Sequence, residues 1–139
     1  MTQPSFTQRR GDGVVVACRR DDNRWLFIRR SATVRAPLQV CFPGGWIDDG
    51  ESQIEAARRE MREELNAEVE PLQCVWRHQF TERSLTLWGW LANLKSPNVT
   101  PNPLEVHEVL WLTADEALNH PNILPRTDAF MAALLKTIA

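Results

Sequence analysis

Gly45-Trp46-Ile47-Asp48-Asp49-Gly50-Glu51-Ser52-Gln53-Ile54-Glu55-Ala56-Ala57-Arg58-Arg59-Glu60-Met61-Arg62-Glu63-Glu64-Leu65-Asn66-Ala67 is the stretch that decides how this chain folds. Within it, Glu60, Glu63 and Glu64 stand at i, i+3 and i+4 and are therefore neighbours on one helical surface. Glu63 has Arg59 four residues back, an ordinary pair worth about 0.2–0.5 kcal/mol. Glu60 and Glu64 have no Lys or Arg three or four residues away in either direction. They face each other, and like charges at that spacing destabilise a helix. A solvated charged helix explains Glu63 but leaves the other two unexplained. A hard divalent cation bound through oxygen ligands explains both.

The flanking residues say how a loop and a helix are built around these carboxylates. Pro43-Gly44-Gly45 and Asp49-Gly50 are breaker signals that bracket a short extended piece over residues 46–48. Ser52 followed by Glu55 has the spacing of a capping box, which predicts a helix starting at Ser52. Ile54, Ala57, Met61 and Leu65 recur at helical spacing as the buried stripe. At roughly 100° per residue, Glu60 and Glu64 fall beside that stripe, at the edge of the core. Asn66 ends the helix as the non-glycine residue that best tolerates the left-handed conformation.

Read together, these residues resemble the Nudix box: a glycine, five residues, a glutamate, seven residues, then Arg-Glu-aliphatic-any-Glu-Glu-any-Gly-aliphatic. Gly45, Glu51, Arg59, Glu60, Met61, Glu63 and Glu64 fill its positions with every gap of the right length. Asn66 stands where the family has glycine, and Ala67 where it has a larger aliphatic residue. Neither departure touches a carboxylate. Phe42-Pro43-Gly44-Gly45, Trp25-Leu26-Phe27-Ile28-Arg29-Arg30 and Glu108-Val109-Leu110-Trp111-Leu112 extend the likeness over most of the chain.

The resemblance implies a Nudix fold, an α/β/α sandwich with a mixed central β-sheet, as one domain over residues 1–139. It implies a pyrophosphohydrolase that cleaves a nucleoside diphosphate linked to another moiety by water attack on phosphorus, using Mg2+ or Mn2+. Glu60 and Glu64 are the implied principal metal ligands. Glu63 shares a second ion or orients water, and the Gly45 backbone joins the metal set. Arg59 orients the cluster by pairing with Glu63 or Glu51, and Glu51 supports the loop. Arg30 and Gly44 fall where substrate phosphate is read, although a surface arginine is an equal reading of Arg30. Glu105 falls where a general base often sits; an exposed strand-edge charge is its equal alternative, and Glu108 and Glu82 are weaker candidates.

Composition narrows the classes. The chain has 139 residues, 43% hydrophobic and 24% charged, which suits one soluble globular domain with a substantial core. A net charge of −2 supplies no broad basic field and speaks against a nucleic-acid partner. Cys18, Cys41 and Cys74 are scattered without zinc-like spacing and read as buried free thiols, in keeping with a cytoplasmic location. Residues 1–10 are polar and lack the apolar stretch of a signal peptide. No run approaches a membrane span. His78, His107 and His120 show no ligand spacing and read as structural or surface groups.

Elsewhere the patterning predicts strands at 14–18 and 25–30 joined as a hairpin, and a loop over 31–41. A second hairpin pairs 69–80 with 84–94, followed by a proline-rich loop over 95–103 and a strand at 106–112. Thr113 caps a short helix through Leu118, and 128–138 forms the last helix. Helices following strands predict an α/β sandwich.

The substrate is less legible. Arg30-Ser31, Arg35 and Gln39-Val40-Cys41-Phe42 partly resemble the coenzyme A pyrophosphatase branch, but Leu38 replaces a glycine of that pattern. The short chain and the Thr86-Leu87-Trp88-Gly89-Trp90 strand are more similar to the small enzymes acting on nucleoside triphosphates or nucleotide sugars. Trp88 and Trp90 read either as base-stacking platforms or as core or dimer packing. A catalytically silent nucleotide-sensing module is the alternative in another class, and such modules usually lose box carboxylates that this chain keeps. The implied partner is a small-molecule nucleotide; both monomer and homodimer stay open.

Overall fold

Alternation along β1 (Gly11–Cys18) divides the core into two halves. Val14, Val16 and Cys18 point to one side, where they pack with Ala57, Met61 and Leu65 of α1 (Gln53–Leu65). Ala17, from the other parity, faces Phe130, Met131 and Leu134 of α3 (Thr127–Ile138). β2 (Trp25–Arg30) splits the same way, with Leu26 and Ile28 towards α1 and Trp25 and Phe27 towards α3. Period-2 patterning with both parities apolar is what a sheet covered on both faces requires. The result is the α/β/α sandwich expected of the sequence. A computed structural model describes residues 11–139. The stretch 1–10, read above for a signal peptide, lies outside the described residues.

The strands form two sheets. β4 (Gly44–Trp46), β1, β6 (Leu85–Leu94) and β5 (Val69–Phe80) lie in that order, with β1 and β6 parallel and the outer pairs antiparallel. β3 (Val40–Cys41), β2 and β7 (Val106–Leu112) form the smaller antiparallel sheet. The expected hairpin of residues 69–80 with 84–94 is present as β5 and β6. The other expected hairpin is not. β1 and β2 go to different sheets and touch in ladder fashion only at an Arg19–Trp25 bridge. Two apolar runs around an Asp-Asp-Asn turn carry the local signal for pairing, but each finds a longer-range partner: β6 for β1, and β7 for β2.

Smaller corrections concern element ends. Residues 40–41, read as loop, pair with Ile28 and Arg29. Ile54 lies in the angular sector of the buried stripe but in the first turn of α1, beyond the core cluster, and is 37% exposed; Ala56 is buried instead. The short helix α2 (Ala114–Leu118) carries its predicted Thr113–Glu116 capping box. Among the described residues no helix is long and apolar enough to cross a membrane.

Candidate active site

α1 is fixed at both ends by its own sequence. Ser52 accepts from the Glu55 backbone N–H while the Glu55 carboxylate accepts from the Ser52 N–H, satisfying two donors that a helix N-terminus otherwise leaves orphaned. At the other end Asn66 takes φ 51°, and its N–H donates to the Arg62 carbonyl as in an αL cap, with the Ala67 N–H donating to the Met61 carbonyl. Between these caps the helix turns Glu60 and Glu64 inwards, to 9% and 6% exposure. Charged residues are almost never that buried without a partner.

The glycines before the helix are there because of those carboxylates and of β1. A Cβ on Gly45 would lie 2.6 Å from the carboxyl carbon and both oxygens of Glu60. A Cβ on Gly44 would overlap the Val14 carbonyl oxygen across the β1–β4 pair. The Gly44 N–H donates to Glu64 Oε1 at 2.9 Å, so β4 and α1 are joined at the site itself. The resemblance gave Gly44 to substrate phosphate and the Gly45 backbone to the metal set; the close neighbours observed are these groups of the chain.

Arg59 ties the rest together. Its Nε and Nη2 hold Glu51 in a fork at 2.7 and 3.0 Å, and Nη2 also donates to the Trp46 carbonyl at 2.8 Å. Nη1 reaches both Glu63, at 2.8 Å, and Glu60, at 2.9 Å. The sequence offered Glu63 or Glu51 as alternatives, and Arg59 takes both. It reaches Glu60 as well, although adjacent helical residues do not face each other, because its long stem curls back towards the loop. Glu51 also accepts from the Asp48 N–H at 3.0 Å, in keeping with a support of the loop. The Arg59 guanidinium holds the Glu51 carboxyl below its usual range.

Glu64 has no such cation at hand. Burial raises its carboxyl well above the ordinary range, and the Glu60 charge raises it further. Burial also raises Glu60, against the opposing pull of Arg59. Glu105 adds to both effects and shares the cleft wall with the pair. Its route there is clear from the backbone. The last turn of α1 leaves carbonyls open, and the loop over residues 95–105 fills them: Thr100 N–H donates to Leu65 O, Asn102 N–H to Glu64 O, and Asn102 Nδ2 to Glu63 O. Glu105 N–H then closes a turn on Asn102 O, and its own carbonyl accepts from Ser31 N–H.

These groups border one cleft of about 460 Å³, with Gly44, Gly45, Glu60, Glu64, Glu105 and Arg30 in its wall. Arg30 Nε donates to the Arg35 carbonyl, and its positive charge lowers the Glu64 carboxyl slightly. Glu63 is not among the residues of the cleft wall and is held by Arg59. Glu108, a weaker candidate for the base, is paired with Arg29 at 3.1 Å on β7, and Glu82 lies exposed in the β5–β6 turn. Trp88 donates to Asp12 and Trp90 to Gln53; the tryptophan lining the cleft is Trp46. His78 is stacked in a row of rings and His120 accepts from the Asn122 N–H. Cys18 and Cys41 are buried and Cys74 partly so. Leu38, the departure from the coenzyme A pattern, takes φ 61°, the region a glycine would occupy without strain. Arg83, which the sequence reading passed over as a turn residue, also lines the cleft.

Among the described residues, no three His, Cys, Asp or Glu side chains already gather as a ready-made ion cage. The donor set nonetheless fits a hard divalent cation. Glu60 and Glu64 supply oxygen only and both are buried; burial and then the Glu60 charge disfavour the charged form of Glu64, and burial, Glu63 and Glu105 that of Glu60, against the pull of Arg59.

Residues 9–134 match the family model of the NUDIX domain. The chain belongs to the NUDIX family. A CTP pyrophosphohydrolase of Escherichia coli (strain K12) is 32% identical to this NUDIX chain over 124 residues, 86% of this chain and 90% of that protein. An 8-oxo-dGTP diphosphatase of the same organism is 33% identical over 82 residues, 57% of this chain and 64% of the relative, just under two thirds of its length. A MutT protein from Methanosarcina mazei Go1 superposes with a TM-score of 0.79 over 97% of this chain and 100% of that one, at 19% identity, which speaks to the shared fold alone.

Proposed function

We propose that this NUDIX chain is a Mg2+- or Mn2+-dependent pyrophosphohydrolase acting on a nucleoside diphosphate linked to a further group, of the nucleoside triphosphate or nucleotide-sugar type. The observation that carries the reading is the buried Glu60–Glu64 pair, raised by burial and aimed into a cleft with Arg30. The names of the two curated relatives, one acting on CTP and one on 8-oxo-dGTP, support the same bond class.

In this reading Glu60, Glu64 and the Gly45 backbone would hold the cation, and Glu63 would share a second ion or orient water. The bound ion supplies charge neutralisation and lowers the pKa of water at the phosphorus. The chain's own residues do the remainder. Arg59 fixes the direction of Glu60 and anchors it to the Glu51 loop. Arg30 meets the substrate's phosphate oxygens, which positions the diphosphate, while the Gly44 N–H stays with Glu64; positioning and charge stabilisation supply most of the catalysis in phosphoryl transfer. Glu105, beside the pair and in the cleft wall, accepts the proton of the attacking water.

The test is a panel: canonical and oxidised nucleoside triphosphates, nucleotide sugars, ADP-ribose, dinucleoside polyphosphates and coenzyme A, each with Mg2+ or Mn2+, with products separated by chromatography. Metal-dependent release of a nucleoside phosphate from one class supports the enzyme and names its substrate. Nucleotide binding without turnover of any member replaces it with a sensing module.

A further inference from the structure

Asn66 stands at the box position where the family has glycine, and its φ of 51° is one that glycine adopts without strain. A glycine would therefore end α1 as well as Asn66 does. What the side chain adds lies outside the helix. Its Nδ2 donates to the Thr100 carbonyl at 2.8 Å. The Thr100 N–H donates in turn to the Leu65 carbonyl, also at 2.8 Å. Both backbone polar groups of Thr100 are thus held at the end of α1, one by the helix and one by Asn66.

Thr100 is where the proline-rich loop lands on the helix. The loop is anchored at Lys95, whose N–H donates to the Glu68 carbonyl, and bonds within itself from the Asn98 N–H to Ser96 Oγ. Beyond Thr100, the rings of Pro101 and Pro103 fix φ, so a shift at Thr100 is passed along the chain rather than absorbed. The Asn102 N–H meets the Glu64 carbonyl at 2.8 Å, and the Glu105 N–H meets the Asn102 carbonyl at 3.0 Å. On the other side, Ser31 donates from its N–H to the Glu105 carbonyl at 3.0 Å and from Oγ to the Leu104 carbonyl at 3.2 Å. The β2–β7 ladder slips register between Arg29 and Arg30, so that Val106 rather than His107 opposes Arg30. Such irregularities re-aim side chains next to active sites. The Glu105 backbone therefore hangs between Ser31, just after β2, and the Asn66–Thr100 tie at the end of α1.

We propose that Asn66 is a positioning residue for Glu105: its amide ties the segment over residues 100–105 to the end of α1, and so carries Glu105 into the cleft that Glu60 and Glu64 border. This rests on the reading of Glu105 as proton acceptor given above. The helix that supplies Glu60 and Glu64 thereby also sets the place of the base, through a side chain that glycine lacks. Asn66 is exposed, and water competes for both partners of an exposed hydrogen bond, so the bond adds little to overall stability. Its consequence is local. A small misplacement of a reacting group lowers turnover far more than it lowers stability.

A double-mutant cycle on the full chain with Mg2+ tests this, using the member of the nucleotide panel above that turns over fastest. Asn66→Gly keeps the left-handed cap and removes only the tie; Asn66→Asp keeps the side-chain shape and puts an acceptor where the donor stood. Each lowers kcat about threefold or more and leaves KM within about twofold. In a Glu105→Gln background the same changes lower kcat by less than about 1.5-fold further, because residues acting through one another are not additive. Amide hydrogen exchange at Thr100, Asn102 and Glu105 quickens in both variants, with the middle of α1 unaffected. Thermal melts certify the fold; should one variant not fold, the other carries the test. An unchanged kcat in the folded variants overturns the proposal, as does an equal loss with and without Glu105, or unchanged exchange. A fully active Glu105→Gln chain sinks the reading of Glu105 as base and this proposal with it. Failure of the cycle beside a slowed Glu105→Gln chain sinks this proposal alone. Turnover of no panel member would sink the hydrolase reading, and quickened exchange at Glu105 would leave its placement by Asn66 standing.

Discussion

Gly45 and Gly44 sit side by side and are needed for different reasons, which makes them a sharp test at the level of single residues. A methyl group on Gly45 meets the far end of a flexible side chain, the Glu60 carboxyl at 2.6 Å, which can move aside. A methyl on Gly44 meets β1 backbone, which cannot. Gly45→Ala should therefore fold with only a small change in Tm yet lose at least tenfold in Mn2+ affinity. Gly44→Ala should unfold at much lower temperature, with an overpacking cost of about 1–3 kcal/mol or more. Differential scanning calorimetry and metal titration on both variants check this; equal behaviour of the two would contradict it. At the same scale, Glu63→Gln and Glu64→Gln should each slow turnover by about a hundredfold with the far-UV spectrum unchanged, in line with losing a charged group that stabilises the transition state. Near-full activity in either variant would remove that residue from the site. The box carboxylates were legible in the sequence because helix geometry alone exposed their conflict. Arg83 was not, because nothing in the sequence of a turn says which cleft it will border.

At the scale of elements, the loop over residues 95–105 gives Glu105 its place by closing the C-terminus of α1. Asn102 contributes most: its backbone N–H donates to Glu64 O, Nδ2 donates to Glu63 O, and Oδ1 accepts from the Leu104 N–H. Asn102→Ala removes the two side-chain bonds, about 0.5–1.5 kcal/mol each, and frees the turn that precedes Glu105. The expected outcome is a lower Tm together with a fall in kcat larger than any rise in KM. An unaltered kcat would show that Glu105 is held by other means or plays no part. Proline and asparagine content marked this segment as a loop, and nothing in its sequence said which helix end it would cover. The caps of α1 and α2, by contrast, were legible in full, because a capping box is a local device with a fixed spacing. β1 and β2 mark the opposite limit: their turn chemistry favoured a hairpin, and pairing at long range prevailed.

For the molecule as a whole, the two-sided core sets a pH limit. Burial pushes the Cys18 thiol up to about 12 and the Cys41 thiol up to about 11. Both are raised above their unfolded values, so in the alkaline window the native state binds more protons than the unfolded chain. Stability is then full below about pH 9 and lost as the pH rises towards 11–12. Urea denaturation between pH 8 and 11 should show this decline, with a shallower slope in Cys18→Ala whatever that variant's absolute stability. A slope identical to that of the unaltered chain would contradict it. Helices following strands made the layered α/β architecture legible from sequence, and the apolar residues on both parities of β1 and β2 meet helices on both faces. The division into two sheets was not, because strand order depends on contacts far apart along the chain.

The claim on which the rest depends is that Glu60 and Glu64 are buried together to hold a divalent ion. Equilibrium titration with Mn2+, followed by electron paramagnetic resonance on the intact chain and on Glu64→Gln, tests it directly. Saturable binding by the intact chain, weakened at least tenfold in a folded Glu64→Gln variant, is the predicted result. Equal binding by the two, or none by either, would contradict the account.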